Sequence, residues 1–356
     1  MNTMIKIDIV SGFLGAGKTT LIKKLLKEAL ADTKVVLIEN EFGEIGIDGG
    51  FLKESGIEIK EMNSGCICCS LVGDFGASLK EVLTIYTPER VLIEPSGVGK
   101  LSDVLKAVED VAKDLDVKVS SAVVVVDVSK CKMYMKNFGE FFLNQVEYAG
   151  TIILSRTDKL SAEKVSDCVA ILREHNDKAA IITTSWDQLD GEDVLKAMEG
   201  SGGLDEMLKE MLEHAQEEHH HDHDHGESCT CGCHNHHHEG HDHKCHHHEE
   251  HNHDHDHDHD HDDHHADEIF ASWGMETPNA YSREEIGDIL TALDSGDYGV
   301  VLRAKGMVPD QDETWIYFDH VPAEHDIRDG KPDITGKFCV IGAELKEDKL
   351  VELFRK

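Results

Sequence analysis

Gly12-Phe13-Leu14-Gly15-Ala16-Gly17-Lys18-Thr19 matches G-x-x-x-x-G-K-[ST], followed by Thr20. It comes after a β-branched run and opens an amphipathic one, the strand-to-helix context that the motif requires. Glycines at 12, 15 and 17 let backbone N–H groups converge on phosphate oxygens, and the helix N-terminus adds partial positive charge. Lys18 is expected to reach the β- and γ-phosphates, and the Thr19 hydroxyl to coordinate Mg²⁺. A second acid belongs at a neighbouring strand end; Glu94, in VLIEPSG, fits, and Gly97 allows a backbone N–H to approach the γ-phosphate. The stretch 94–99 is then placed to sense triphosphate against diphosphate. Taken alone, Pro95-Ser96-Gly97 reads only as a turn.

Base choice falls to Ser155-Arg156-Thr157-Asp158, after the apolar run TIILS. Guanine readers place a carboxylate in Asn-Lys-x-Asp; here Asp158 keeps the carboxylate while Ser and Arg replace Asn and Lys. The Arg stem can still stack on a base, so GTP is favoured over ATP. The bland alternative is that Asp158 caps a helix beginning near Ser161.

Two further clusters speak of transition metals. Cys66, Cys68 and Cys69, in GCICC, put three thiols within four residues between a Gly and a Ser, poor core material but good ligands for Zn²⁺, Co²⁺ or Ni²⁺. Cys131, Cys168 and Cys339 read instead as buried apolar residues. Ahead of the thiols, Glu41 and Asp48 sit where a switch loop belongs and could add carboxylates; Asp48 and Glu94 are the candidates for positioning the attacking water. Positions 219–265 hold 22 of the 26 His, 13 Asp or Glu and 4 Cys, with no aliphatic residue and no Phe, Tyr or Trp. Such a segment cannot offset chain entropy by burial and reads as a disordered linker. Its ligand runs include His219, His221 and His223; Cys229, Cys231 and Cys233; and His253, His255 and His257. A solvated acidic spacer needs neither that imidazole density nor those thiols.

Short apolar runs must position these groups: 5–10, 35–39, 91–95, 122–127, 151–155 and 180–184. They are nearly continuous in apolar residues, as in a parallel sheet covered on both faces, and alternate with amphipathic stretches such as Leu21, Ile22, Leu25 and Leu26. Residues 1–213 therefore read as an α/β phosphate-loop domain with a mainly parallel sheet, 214–267 as the linker, and 268–356 as a small α+β domain. The 356 residues carry 35 Lys+Arg against 71 Asp+Glu, a net charge of -36. That excess disfavours nucleic acid and anionic membranes and favours cations. No apolar run could span a bilayer and MNTMIKIDIV does not resemble a signal peptide, so a cytoplasmic protein with reduced thiols is expected.

GFLGAGKTT (12–20), ENEFGEIGID (39–48), GCICC, EPSG (94–97) and SRTD, followed by a His-rich linker, RAKG (303–306) and IGAEL (341–345), resemble the CobW-type GTPases. These are relatives of the urease and hydrogenase nickel-insertion GTPases. The resemblance implies GTP hydrolysis coupled to delivery of zinc or cobalt to a client metalloprotein. By position it gives Lys18 and Thr19 to phosphate and Mg²⁺, Glu94 to Mg²⁺ or its water, Asp158 to guanine, and Cys66, Cys68 and Cys69 to the transferable metal. Because the nickel-insertion relatives act as dimers, a nucleotide-dependent homodimer is expected. Two alternatives stay open: a metal store built on the linker, and a cobalt-insertion GTPase of cobalamin synthesis.

Overall fold

A computed structural model describes residues 4–40, 58–62, 72–200, 208, 269–311, 314–330 and 335–355. The first sheet has seven parallel strands: β1 (Ile5–Gly12), β2 (Val35–Asn40), β3 (Glu58–Met62), β4 (Arg90–Glu94), β5 (Val117–Asp127), β6 (Thr151–Ser155) and β7 (Ala180–Ile182), in spatial order β3-β2-β4-β1-β5-β6-β7. Around it run α1 (Lys18–Glu28), α2 (Val72–Tyr86), α3 (Leu101–Ala112), α4 (Cys131–Asn137), α5 (Gly139–Glu147), α6 (Ala162–His175) and α7 (Gly191–Glu199).

Burial on both faces explains the continuous apolar runs. Ile38, Ile93, Val124 and Ile152 face one core with α2, α3 and α5, while Leu37, Leu92, Val123 and Ile153 face the other with Leu21, Ile22, Leu25 and Leu26 of α1. Six strands match the apolar runs. The seventh, β3 (EIKEM), has no apolar run and pairs with β2 at the edge of the sheet.

The second sheet is antiparallel, in order β11-β10-β9-β12-β8: β8 (Phe270–Thr277), β9 (Val300–Pro309), β10 (Trp315–Val321), β11 (Glu324–Gly330) and β12 (Gly336–Ala343). Helices α8 (Arg283–Leu293) and α9 (Glu347–Phe354) accompany it, and Trp273, Leu290, Phe318, Phe338 and Phe354 form its core. Here too a charged strand, β11 (EHDIRDG), lies at the edge. Across its free side it would gain nothing from apolar residues.

The two sheets belong to one compact unit. Phe270, Leu302, Cys339 and Ile341 join the core of the first sheet, and the Phe270 ring lies 5.1 Å from Phe141 and 6.3 Å from Phe13 of the phosphate loop. Cys131, Cys168 and Cys339 are buried free thiols. Among the described residues no helix is long and apolar enough to cross a membrane.

Candidate functional site

Parallel strands deliver their carboxyl ends, and the loops that follow them, to one edge of a sheet. Gly12 ends β1 with φ 141, and a Cβ there would lie 2.4 Å from the Val125 carbonyl oxygen, so only glycine lets the chain turn against β5. Phe13 packs 4.4 Å from Tyr134, whose hydroxyl donates to the Leu14 carbonyl at 3.2 Å. An apolar anchor thus fixes a polar loop. Gly17 precedes α1 at φ 106 and provides no side-chain cap, unlike Ser161 before α6, Asp190 before α7 and Ser282 before α8. The orphan N–H groups of the first turn of α1 are thereby kept for a ligand. Lys18 is buried, its Nζ donating to the Gly12 carbonyl at 2.9 Å.

β4 lies beside β1 and carries Glu94 to the same edge. The Thr19 hydroxyl donates to its two carboxylate oxygens at 3.2 and 3.3 Å. Two oxygens on one edge of a Mg²⁺ octahedron are about 3 Å apart, so this hydroxyl and carboxylate fit the hard cation the motif calls for. Gly97 lies so close to the phosphate loop that a Cβ would be 2.9 Å from Leu14 N. The stretch is tied down from α5, where the fully buried Gln145 donates through Nε2 to the carbonyls of Gly97 (3.2 Å) and Gly99 (2.8 Å).

Gly15, Gly17, Lys18, Thr19, Thr20, Glu94 and Arg156 line one wall of a cavity of about 270 Å³. Its other wall comes from the second sheet: Arg303 of β9 and Asp319, His320, Val321, Glu324, His325 and Asp326 of the β10–β11 hairpin. Val321 packs on the loop, with its Cγ1 2.4 Å from where a Gly15 Cβ would stand. Arg156, at φ 61, reaches Asp127 Oδ2 at 3.0 Å, donates to the Gly15 carbonyl at 3.3 Å and pairs with Glu324. Its guanidinium is therefore spent on the loop and the hairpin. His320 is buried with both ring nitrogens outside hydrogen-bond geometry, Nε2 standing 3.4 Å from Asp294 Oδ1. Burial, against the attraction of Asp294, holds its pKa below the usual imidazole value.

The expected nucleotide residues therefore gather, with Gly12 and Gly97 just behind the cavity wall. Asp158 does not join them: it is exposed, in a short turn of helix at Thr157–Lys159, outside the cavity lining. Nor does it cap α6, because the Ser161 hydroxyl accepts from Lys164 N. Glu41, Asp48, Cys66, Cys68, Cys69 and all the linker candidates, from His219, His221, His223, Cys229, Cys231 and Cys233 to His253, His255 and His257, lie outside the described residues. Among the described residues no group of three or more His, Cys, Asp or Glu is arranged to hold a metal ion. Sequence reasoning missed Gln145, Glu324, His320 and any site role for Arg303. One signal was available: outside 219–265 only four His occur, and two of them, His320 and His325, line this cavity.

Residues 6–183, half of the chain, match the family described as CobW/HypB/UreG, nucleotide-binding domain. The chain belongs to that family. Its first sheet is a CobW/HypB/UreG domain of the phosphate-loop GTPase class. Over 188 residues it is 28% identical to "Zinc chaperone YeiR" of Escherichia coli (strain K12), covering 53% of this chain and 57% of that protein. Over 244 residues it is 30% identical to "Zinc chaperone CobW" of Sinorhizobium sp, covering 60% of this chain and 68% of that protein. The chain thus spans between about half and two thirds of the length of these relatives. The crystal structure of Zn(II)-bound YjiA GTPase from E. coli is similar over 99% of both chains at 20% identity and a TM-score of 0.42.

Proposed function

We propose that this CobW/HypB/UreG-family chain is a GTP-dependent metallochaperone. It binds GTP on the phosphate loop, holds zinc or cobalt at Cys66, Cys68 and Cys69, and hands that metal to a client metalloprotein as GTP is hydrolysed. The observation that carries the reading is the Thr19–Glu94 pair at the mouth of the loop, beside a Gly97 in contact with Leu14. It couples a magnesium-type ligand set to a segment able to feel a γ-phosphate. The naming of relatives as zinc chaperones supports the cargo.

In the reaction, the loop N–H groups and Lys18 bind and orient the phosphates, and Thr19 and Glu94 would hold Mg²⁺, which supplies charge neutralisation at the β- and γ-oxygens. Water attacks the γ-phosphorus, and the bridging oxygen leaves with GDP; the catalytic demand is positioning and charge stabilisation. Guanine preference is assigned to Asp158, and Asp48 or Glu94 positions the water. β3 ends at Met62 on the same sheet edge as Gly12 and Glu94, and the thiols follow it in the chain. Nucleotide-dependent ordering there would gate the metal.

Zinc and cobalt titrations against a chromophoric chelator, with Mg²⁺-GTP and again with Mg²⁺-GDP, test this on the full chain and a Cys66/Cys68/Cys69→Ser variant. One tight equivalent present in the parent, lost in the variant and shifted by nucleotide is expected. Equal titrations in both proteins would place all metal on the linker and refute the gated chaperone.

A further inference from the structure

The second sheet meets the first along two unequal lines. One is apolar: Phe270 of β8, Leu302 of β9, and Cys339 and Ile341 of β12 enter the core of the first sheet. Along the other, no residue of β10 or β11 enters that core among the described residues. The hairpin reaches the phosphate loop through two side chains at its tip. Val321 packs against Gly15 so closely that a β-carbon there would overlap its methyl group, and Glu324 pairs with Arg156, the arginine that also donates to the Gly15 carbonyl. Within its own sheet the tip is stiff. β10 and β11 pair from Trp315↔Gly330 to Val321↔Glu324, and Ala323 N donates to Asp294, at the end of α8, at 3.0 Å. Such a hairpin moves as a piece with its sheet, about the apolar edge.

What the tip covers is the nucleotide site. The space between the hairpin and Gly15, Gly17, Lys18, Thr19 and Thr20 is about 270 Å³, below the roughly 300–1,000 Å³ of pockets that take drug-sized ligands. A nucleoside triphosphate is a large member of that class. Charge points the same way. The second-sheet wall sets Asp319, Glu324 and Asp326 against Arg303 and, through its ion pairs, Arg328, which leaves one excess negative charge with histidine counted as neutral. Facing it, Lys18, Arg156 and Glu94 leave one excess positive charge. The docked wall thus cancels the attraction that the loop side offers to an anionic nucleotide.

We propose that the β10–β11 hairpin is an autoinhibitory plug on the phosphate loop: nucleotide enters only when Val321 and Glu324 leave Gly15 and Arg156. The proposal rests on the nucleotide-binding reading above. Entry then has two consequences. It releases the Arg156 guanidinium from Glu324, and it turns nucleotide occupancy into a displacement of the second sheet, the part of the chain that follows the His-rich segment. Because the plug competes with nucleotide, it lowers apparent affinity by the fraction of molecules in which it is docked and leaves release from the open state unchanged.

The test follows a fluorescent GDP analogue with Mg²⁺ by stopped flow on the full wild-type chain, Val321→Ala, Glu324→Ala, the double variant, Asp326→Ala and Lys18→Ala. Val321→Ala loosens the plug without changing any charge. Asp326→Ala removes a cavity carboxylate that is paired within the hairpin, with Arg328. From the worth of two buried methyl groups and of a part-exposed ion pair, each of the first two variants should bind GDP about 3–10-fold tighter, through faster association. The double variant should gain more than either, dissociation should change by less than about twofold, and Asp326→Ala should stay within about twofold of wild type. Unchanged affinity in both single variants overturns the proposal. So does weaker binding with faster release, the behaviour of a lid that holds its ligand. Equal gains in Glu324→Ala and Asp326→Ala with none in Val321→Ala reduce the effect to charge and overturn it as well. If one single variant fails to fold, as read from its urea midpoint, the other decides. If no protein in the set binds GDP in a Lys18-dependent way, the nucleotide-binding reading fails and the plug with it.

Discussion

Replacing Gln145 by Met keeps the volume and burial of the side chain but removes the two N–H donors that tie down Gly97 and Gly99. Each neutral hydrogen bond contributes about 1 kcal/mol net, and the carbonyls left behind are buried in a tight turn, so the strut is worth about 2 kcal/mol. Part of the loss in overall stability is offset, because Gln145 Oε1 is buried without a partner and Met removes that cost too. Urea unfolding should show a loss of about 1–2 kcal/mol. The effect on ligands is sharper. If 94–99 must be ordered to meet a γ-phosphate, loosening it by about 2 kcal/mol reduces the competent population up to about 30-fold. Competition binding with fluorescent GTP and GDP analogues should then show GTP affinity down by about 10–30-fold and GDP affinity within about 3-fold. A GTP-to-GDP ratio unchanged in a variant that shows the stability loss would refute the sensing role of 94–99. Unchanged stability would refute the hydrogen-bond reasoning itself.

Thr19→Ala and Glu94→Gln should each weaken Mg²⁺ by about 10–100-fold, read as the Mg²⁺ concentration needed to slow nucleotide release, whereas binding measured in EDTA stays near that of the parent. Lys130 is buried with its Nζ unbonded, and desolvation lowers its pKa to about 8. The unfolded chain therefore binds more protons than the folded one between about pH 8 and 10.5, and stability should rise across that window by about 2 kcal/mol after solvent screening. Lys130→Met should flatten that rise and raise stability at pH 7, as followed by urea midpoints. Deleting 219–265 should remove most of the zinc capacity of the chain. The metal on the intact linker should leave between pH 7.4 and 5.5, as imidazoles with pKa near ~6.5 take up protons; atomic absorption after dialysis checks both outcomes.

The two strands with mostly charged sequences, β3 and β11, are both edges. Pattern reading works by detecting burial, and an edge strand can be held by its backbone hydrogen bonds to one neighbour without an apolar run. The charged string EHDIRDG becomes a strand only because β10 is there to pair with, from Trp315↔Gly330 to Val321↔Glu324.

The same division runs through the site. The phosphate loop is legible because its chemistry is local: glycines, Lys18 and Thr19 must occupy consecutive positions between a strand and a helix. Glu94 was legible because a strand end fixes where a carboxylate emerges. The thiols and the imidazole-rich stretch are likewise contiguous in the chain, so the sequence alone raises the metal question. What the sequence could not determine is everything contributed across distance. Gln145 lies 48 residues from Gly97, and the hairpin that lines the cavity lies beyond the linker. Arg156 is turned by a left-handed backbone onto Asp127 and Glu324, partners that its neighbours in the chain do not reveal. Spacing records which groups one segment can bring together. Which wall a second sheet will present to them depends on the burial of Phe270, Leu302 and Ile341 against the first, and that packing leaves no local trace in the chain.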